Sequence, residues 1–183
     1  MIQYSALLTA ALIGLVAMSP MSARAANAAQ IEQNVTRGYA LLLDSNPAAR
    51  KLSQTAKGVL IFPKIIKAGF VFAGQYGQGA MRERGYTVGY YSTAAASFGF
   101  QAGGAEFGYA LFFMDDESLS FLKRSRGWEI GVGPTVILVN EGIAKSISST
   151  TVQKGVYAFF FNQKGLLAGA SIEGSKITRI HPR

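Results

Sequence analysis

The apolar runs that follow Tyr86 limit the folding of this chain more than any other feature. Nine of them, at 86–92, 98–102, 107–114, 128–132, 135–140, 147–152, 156–161, 166–172 and 176–180, are short and separated by Gly, Asn and Ser. Runs of this length, rich in β-branched and aromatic side chains, suit strands. So many at regular spacing predict a twisted antiparallel sheet, barrel-like or two-layered. One helix is expected to interrupt them. Asp115, Asp116 and Glu117 precede SLSFLKRSR and Gly127, with Lys123, Arg124 and Arg126 near the end, the charge order that a helix dipole favours. The same acids lack the spaced oxygen ligands of a calcium loop.

Two further helices are expected ahead of the strands. Ile31, Val35, Tyr39 and Leu42 share one side of a helical wheel, so residues 28–43 read as an amphipathic helix. Asn46 followed by Pro47 is a cap and a favoured first helical residue, which starts a second helix running toward Ala56. The fold class expected is α+β, with two N-terminal helices, one inserted helix and a sheet.

The stretch 57–91 joins these two parts. Its apolar run 58–62 is stopped by Pro63 and reads as a buried strand with a fixed end. Lys64 and Lys67 then flank Ile65 and Ile66 in what reads as a basic, partly apolar surface break. Gly74, Gly77 and Gly79 follow, a spacing that lets a strand bend or another backbone approach closely.

GVLIFPKIIKAGF at 58–70, QYGQG at 75–79, GYY at 89–91, GWEIGVGP at 127–134 and VYAFFFNQKGLLAGASIEGSKI at 156–177 occur in order. This set resembles the SYLF family of lipid-binding domains, from about Ile31 to the C-terminus. The resemblance implies a non-catalytic membrane-binding module. Eukaryotic relatives bind phosphoinositides, some bind actin, and they usually carry an additional recognition domain, of which this chain has no sign.

Residues 1–25 read as a secretory signal, with an apolar region at 6–18, a break at Pro20 and the small-residue site Ala23-Arg24-Ala25. Its n-region carries no Lys or Arg, and an uncleaved anchor is the alternative. The domain expected is 26–183, in a periplasmic or secreted compartment and peripheral at a membrane. There neither phosphoinositides nor actin would be met, and an anionic phospholipid surface becomes the expected partner. Export also argues against nucleic acid, although the charge alone would permit it: 18 basic residues stand against 10 acidic ones in the whole chain.

Between Ser45 and Arg82 lie six basic residues, Arg50, Lys51, Lys57, Lys64, Lys67 and Arg82, and no acid. If they converge they form a positive surface, and Arg50, Lys51, Lys57, Lys64, Ile65, Ile66 and Lys67 are the candidate lipid-binding residues. Basic side chains would attract anionic headgroups while the isoleucines enter the interface. A solvated face is the plainer reading of such a run.

Enzyme chemistry has little to build on. The chain has no Cys and a single His, His181, the third residue from the end. No phosphate loop occurs, and G-x-x-G-x-G at 74–79 reverses the order of a dinucleotide fingerprint. Neither a metal nor a cofactor is expected. Glu106, among small and apolar residues, needs a partner or a raised pKa if buried. The alternative function is a small outer-membrane β-barrel, suggested by the strands and by aromatics such as Tyr90 and Tyr91. The run Phe159-Phe160-Phe161 breaks the in–out alternation that a lipid-facing strand requires.

Overall fold

A computed structural model describes residues 27–69, 72–98, 103–147, 154–165 and 172–183. The expected signal at 1–25 lies outside the described residues, as do most of the expected strands at 147–152 and 166–172.

The chain enters through helix α1 (Ala28–Ser45), whose N-terminus is closed by the Asn27 side chain accepting from the Gln30 N–H. Ile31, Val35, Gly38 and Leu42, spaced three and four apart, form its buried stripe. Asn46 ends α1 and caps α2 (Pro47–Ser53), where Pro47 occupies the first turn and costs no hydrogen bond. The sheet follows: β1 (Gly58–Gly69), β2 (Phe72–Glu83), β3 (Tyr86–Phe98) and β4 (Gly103–Phe113). Helix α3 (Asp116–Arg124) is capped by Asp115, with acids in its first turn and Lys123 and Arg124 in its last, as its sequence predicts. The short β5 (Trp128–Glu129) and β6 (Val136–Leu138), helix α4 (Glu141–Ser146), β7 (Val156–Gly165) and β8 (Lys176–Ile180) complete the order.

The eight strands form one curled sheet in the order β5-β8-β3-β2-β1-β4-β7-β6. Every pair is antiparallel except β6 with β7, so the α+β expectation holds, with a mixed rather than wholly antiparallel sheet. Strand alternation sends one set of side chains to each face. On the inner face Leu60, Phe62, Phe107, Tyr109, Leu111 and Phe113 pack with Leu119 and Leu122 of α3 and with Trp128. On the outer face Val59, Ile61, Ala110, Phe112 and Phe159 pack under α1 and α2. Each fully buried large apolar side chain is worth about 1.5–3 kcal/mol of transfer free energy, so these two layers hold the fold. No helix among the described residues is long and apolar enough to cross a membrane.

Three expectations need correction. The strand that starts at Gly58 does not end at Pro63 but runs on to Gly69. Its pairing shifts between Ile61 and Lys64 against β2, and between Phe62 and Ile65 against β4. Pro63 therefore sits in a β-bulge, where its missing N–H is tolerated. The bulge adds one residue, so Phe62 and Ile65, three apart, both point inward. The expected strand of 86–92 likewise runs on, as β3 unbroken from Tyr86 to Phe98, while the expected strand at 98–102 lies outside the described residues except for Phe98. Finally, α4 was not anticipated. It is a single short turn region, capped by the Asn140 side chain accepting from the Ile143 N–H.

Candidate functional site

The bulge divides the outer face of the sheet in two. Up to Pro63 that face lies under α1, close enough that a Cβ on Gly38 would come within 2.8 Å of the Pro63 ring. Beyond Pro63 burial alternates strictly, with Lys64, Ile66 and Ala68 exposed and Ile65 buried between them. Strand β2 matches it, with Gly74 and Tyr76 exposed and Ala73, Gln75 and Gly77 buried. No helix covers this half of the outer face among the described residues.

Across the bare half runs a single row of cross-strand partners. Lys176 of β8 pairs with Ala94 of β3, Ala94 with Tyr76 of β2, and Tyr76 with Ile66 of β1. Ile66 pairs in turn with Glu106 of β4, and Glu106 with Lys164 of β7. At about 4.8 Å per strand, the row spans about 24 Å. Its centre is apolar and open: Ile66 is 54% exposed and Tyr76 52%. Its flanks carry Lys164 at one end and Lys176 at the other, where Lys176 pairs onward with the exposed Glu129 of β5. Lys64, two residues from Ile66, reaches Glu106 with its ammonium 2.8 Å from the carboxylate. That hydrogen bond and charge hold the Glu106 carboxyl below its ordinary pKa, against a smaller opposing effect of burial, and Lys164 adds to the lowering. Glu106, which the sequence leaves without an assignment, is thus a charged, partnered group.

The seven candidate residues do not form one surface. Arg50 bonds back to the Leu43 carbonyl at 3.0 Å and pairs with Asp44 at 3.7 Å, closing the α1–α2 corner. Lys51 reaches the Ile147 carbonyl at 3.4 Å. Lys57 pairs with Asp116 at the start of α3, 3.6 Å away. Ten residues of strand, about 33 Å, separate Lys57 from Lys67. The acid-free stretch of sequence is not acid-free in space, because Glu32, Asp44, Glu106 and Asp116 come to it from other elements.

Ile65 must be withdrawn from the surface set. It is 0% exposed and belongs to the inner core, because the Pro63 bulge turns it inward. Lys67 shares that inward parity. It lies half-buried at the rim beside Gln75 and Ala105, away from the row. Of the seven, Lys64 and Ile66 are the two that the bare face brings together. Sequence reading missed Tyr76, Lys164 and Lys176. Tyr76 was legible in the alternation of QYGQG, whereas the two lysines reach the row only through long-range register.

Elsewhere, His181 is exposed and lines an open groove of about 340 Å³ with Arg179, Thr87 and Tyr90. Inside the sheet the Tyr109 hydroxyl donates to Thr93 at 2.7 Å and the Gln75 amide to Ser175 at 2.9 Å, so these buried polar groups are partnered. Among the described residues no three His, Asp or Glu side chains gather as metal ligands would. Comparison with protein-family models finds no match, and none of the curated proteins is significantly similar in sequence.

Proposed function

We propose that this protein is a peripheral membrane-binding module that docks on anionic phospholipid through the bare half of its outer sheet face. The observation that carries the reading is the row itself, an exposed Tyr76–Ile66 centre with Lys64 and Lys164 around Glu106 on one side and Lys176 next to Glu129 on the other. A tyrosine ring with a polar tip and an aliphatic neighbour suit the headgroup–acyl boundary. Lysines beside them keep their ammonium groups at phosphate level while their stems lie along apolar surface. Each net positive charge on the row contributes about 1 kcal/mol near an anionic leaflet, which supports reversible docking together with the apolar centre.

The resemblance of the chain to lipid-binding SYLF domains points the same way. Export, as the 1–25 segment suggests, would set this face against a bacterial-type anionic leaflet. An outer-membrane barrel fits less well. In a barrel the outward face meets lipid all round, whereas here α1 and α2 occupy half of it.

Co-sedimentation of chain 26–183 with vesicles tests the reading. Wild type is expected to sediment with phosphatidylglycerol vesicles and only weakly with phosphatidylcholine. The double change Ile66→Ser and Tyr76→Ser should abolish most of that binding with the fold retained by circular dichroism. Wild-type binding that does not distinguish the two lipids, or a double variant that sediments unchanged, would overturn it.

A further inference from the structure

We infer that Glu106 is a built-in counterion that stands where a lipid phosphate docks, so that membrane binding exchanges its carboxylate for a phosphodiester between Lys64 and Lys164. The inference rests on the docking reading above and assigns a regulatory residue to that site.

The ion pairs of the molecule separate into two kinds. Lys57–Asp116 ties the residue ahead of β1 to α3, Lys123–Glu83 ties α3 to β2, Arg82–Glu32 ties β2 to α1, and Arg50–Asp44 ties α2 to α1. Each joins elements that the sheet ladder does not join. Lys64–Glu106 is different, because β1 and β4 are already held by ten backbone-paired positions from Gly58 to Gly69. The pair therefore adds little to the architecture, and an ion pair this open to solvent contributes little stability of its own.

Its chemistry fits exchange. One carboxylate sits with the Lys64 ammonium 2.8 Å away and with Lys164, its cross-strand partner, acting on it through charge alone. A phosphodiester offers the same single negative charge and oxygen acceptors of the same kind, so it can take the carboxylate's place against the ammonium groups while the tethered carboxylate turns out to solvent. While Glu106 is in place, the lysines present about one net charge instead of two. A lipid must displace it before both cations serve the headgroup.

The test uses chain 26–183 and vesicles of graded phosphatidylglycerol content. Glu106→Gln keeps shape and removes charge, and should tighten binding about fivefold, the value of one charge near the surface. Glu106→Asp, which draws the carboxylate back by one methylene, should give a smaller gain. The gain from Glu106→Gln should disappear in a Lys64→Gln, Lys164→Gln background. A gain that survives in that background means Glu106 merely repels the membrane, and overturns the inference. So does wild-type binding that Glu106→Gln leaves unchanged, while wild type that fails to bind at all defeats the docking reading instead. If millimolar inorganic phosphate removes the difference between wild type and Glu106→Gln at constant ionic strength, the cluster is a free-anion site, and the assignment to lipid falls.

Discussion

The two halves of β1 have the same neighbours in the sheet and opposite surroundings. From Gly58 to Pro63 every residue is buried, because α3 and Trp128 close one face and α1 and α2 the other. From Lys64 to Gly69 only the inner face is closed, and burial alternates. The switch comes at one residue. By tolerating a bulge instead of ending the strand, Pro63 shifts the side-chain parity just where α1 stops covering the sheet. The covered half supplies stability and the bare half supplies a surface, and adjacent isoleucines fall on the two sides of that division.

The sharpest way to break this comparison is to truncate those neighbours. Ile65→Ala removes a fully buried side chain from the inner core and should cost about 2–5 kcal/mol in denaturant unfolding. Ile66→Ala, 54% exposed, should stay within about 0.5 kcal/mol of wild type while weakening vesicle binding. Equal losses of stability would mean that something covers the outer face, and the division at Pro63 would be lost.

A smaller effect is expected from Gly79, on β2 beside the bulge. A Cβ there would overlap the Ile61 carbonyl and come within 2.8 Å of the Phe62 ring. The glycine is what lets β2 approach the bulged strand. Gly79→Ala should therefore cost about 1–3 kcal/mol, the usual penalty of overpacking. A neutral result in thermal unfolding would show that the bulge can shift, and that the parity change at Pro63 is not held rigidly.

How much of this was legible depended on the range of the interactions. The cap at Asn46, the charge order of α3, the β8 limits and the α1 stripe, apart from Gly38 standing where Tyr39 is expected, follow from neighbours within a turn or a strand and were readable. The expectation that Pro63 ends a strand failed because a bulge is decided by both flanking strands, which lie far away in sequence. The basic surface failed for the same reason. Lys57 meets Asp116 and Lys64 meets Glu106 only after the sheet has formed. Ile66 was found because its neighbours are basic, but the parity that exposes it and buries Ile65 was set by register. Lys164 and Lys176 carried no local sign of joining Tyr76.

The smallest expected effect lies at Gly74, in the bare half of β2. Among the described residues a Cβ there would meet nothing within 4 Å, and the position shares the outward parity of Tyr76. A glycine inside a strand gives up more backbone freedom on folding than alanine does, so Gly74→Ala should stabilise by about 0.5 kcal/mol. For a domain of this size that is about 1–2 °C in Tm. An added methyl on an open face also leaves room for a fluid bilayer, so vesicle binding should hold or rise slightly. Loss of stability would mean that the face is packed against part of the chain. Loss of vesicle binding with an unchanged melt would mean a rigid partner that fits the backbone at Gly74 closely, in place of a lipid surface that can yield around one methyl group.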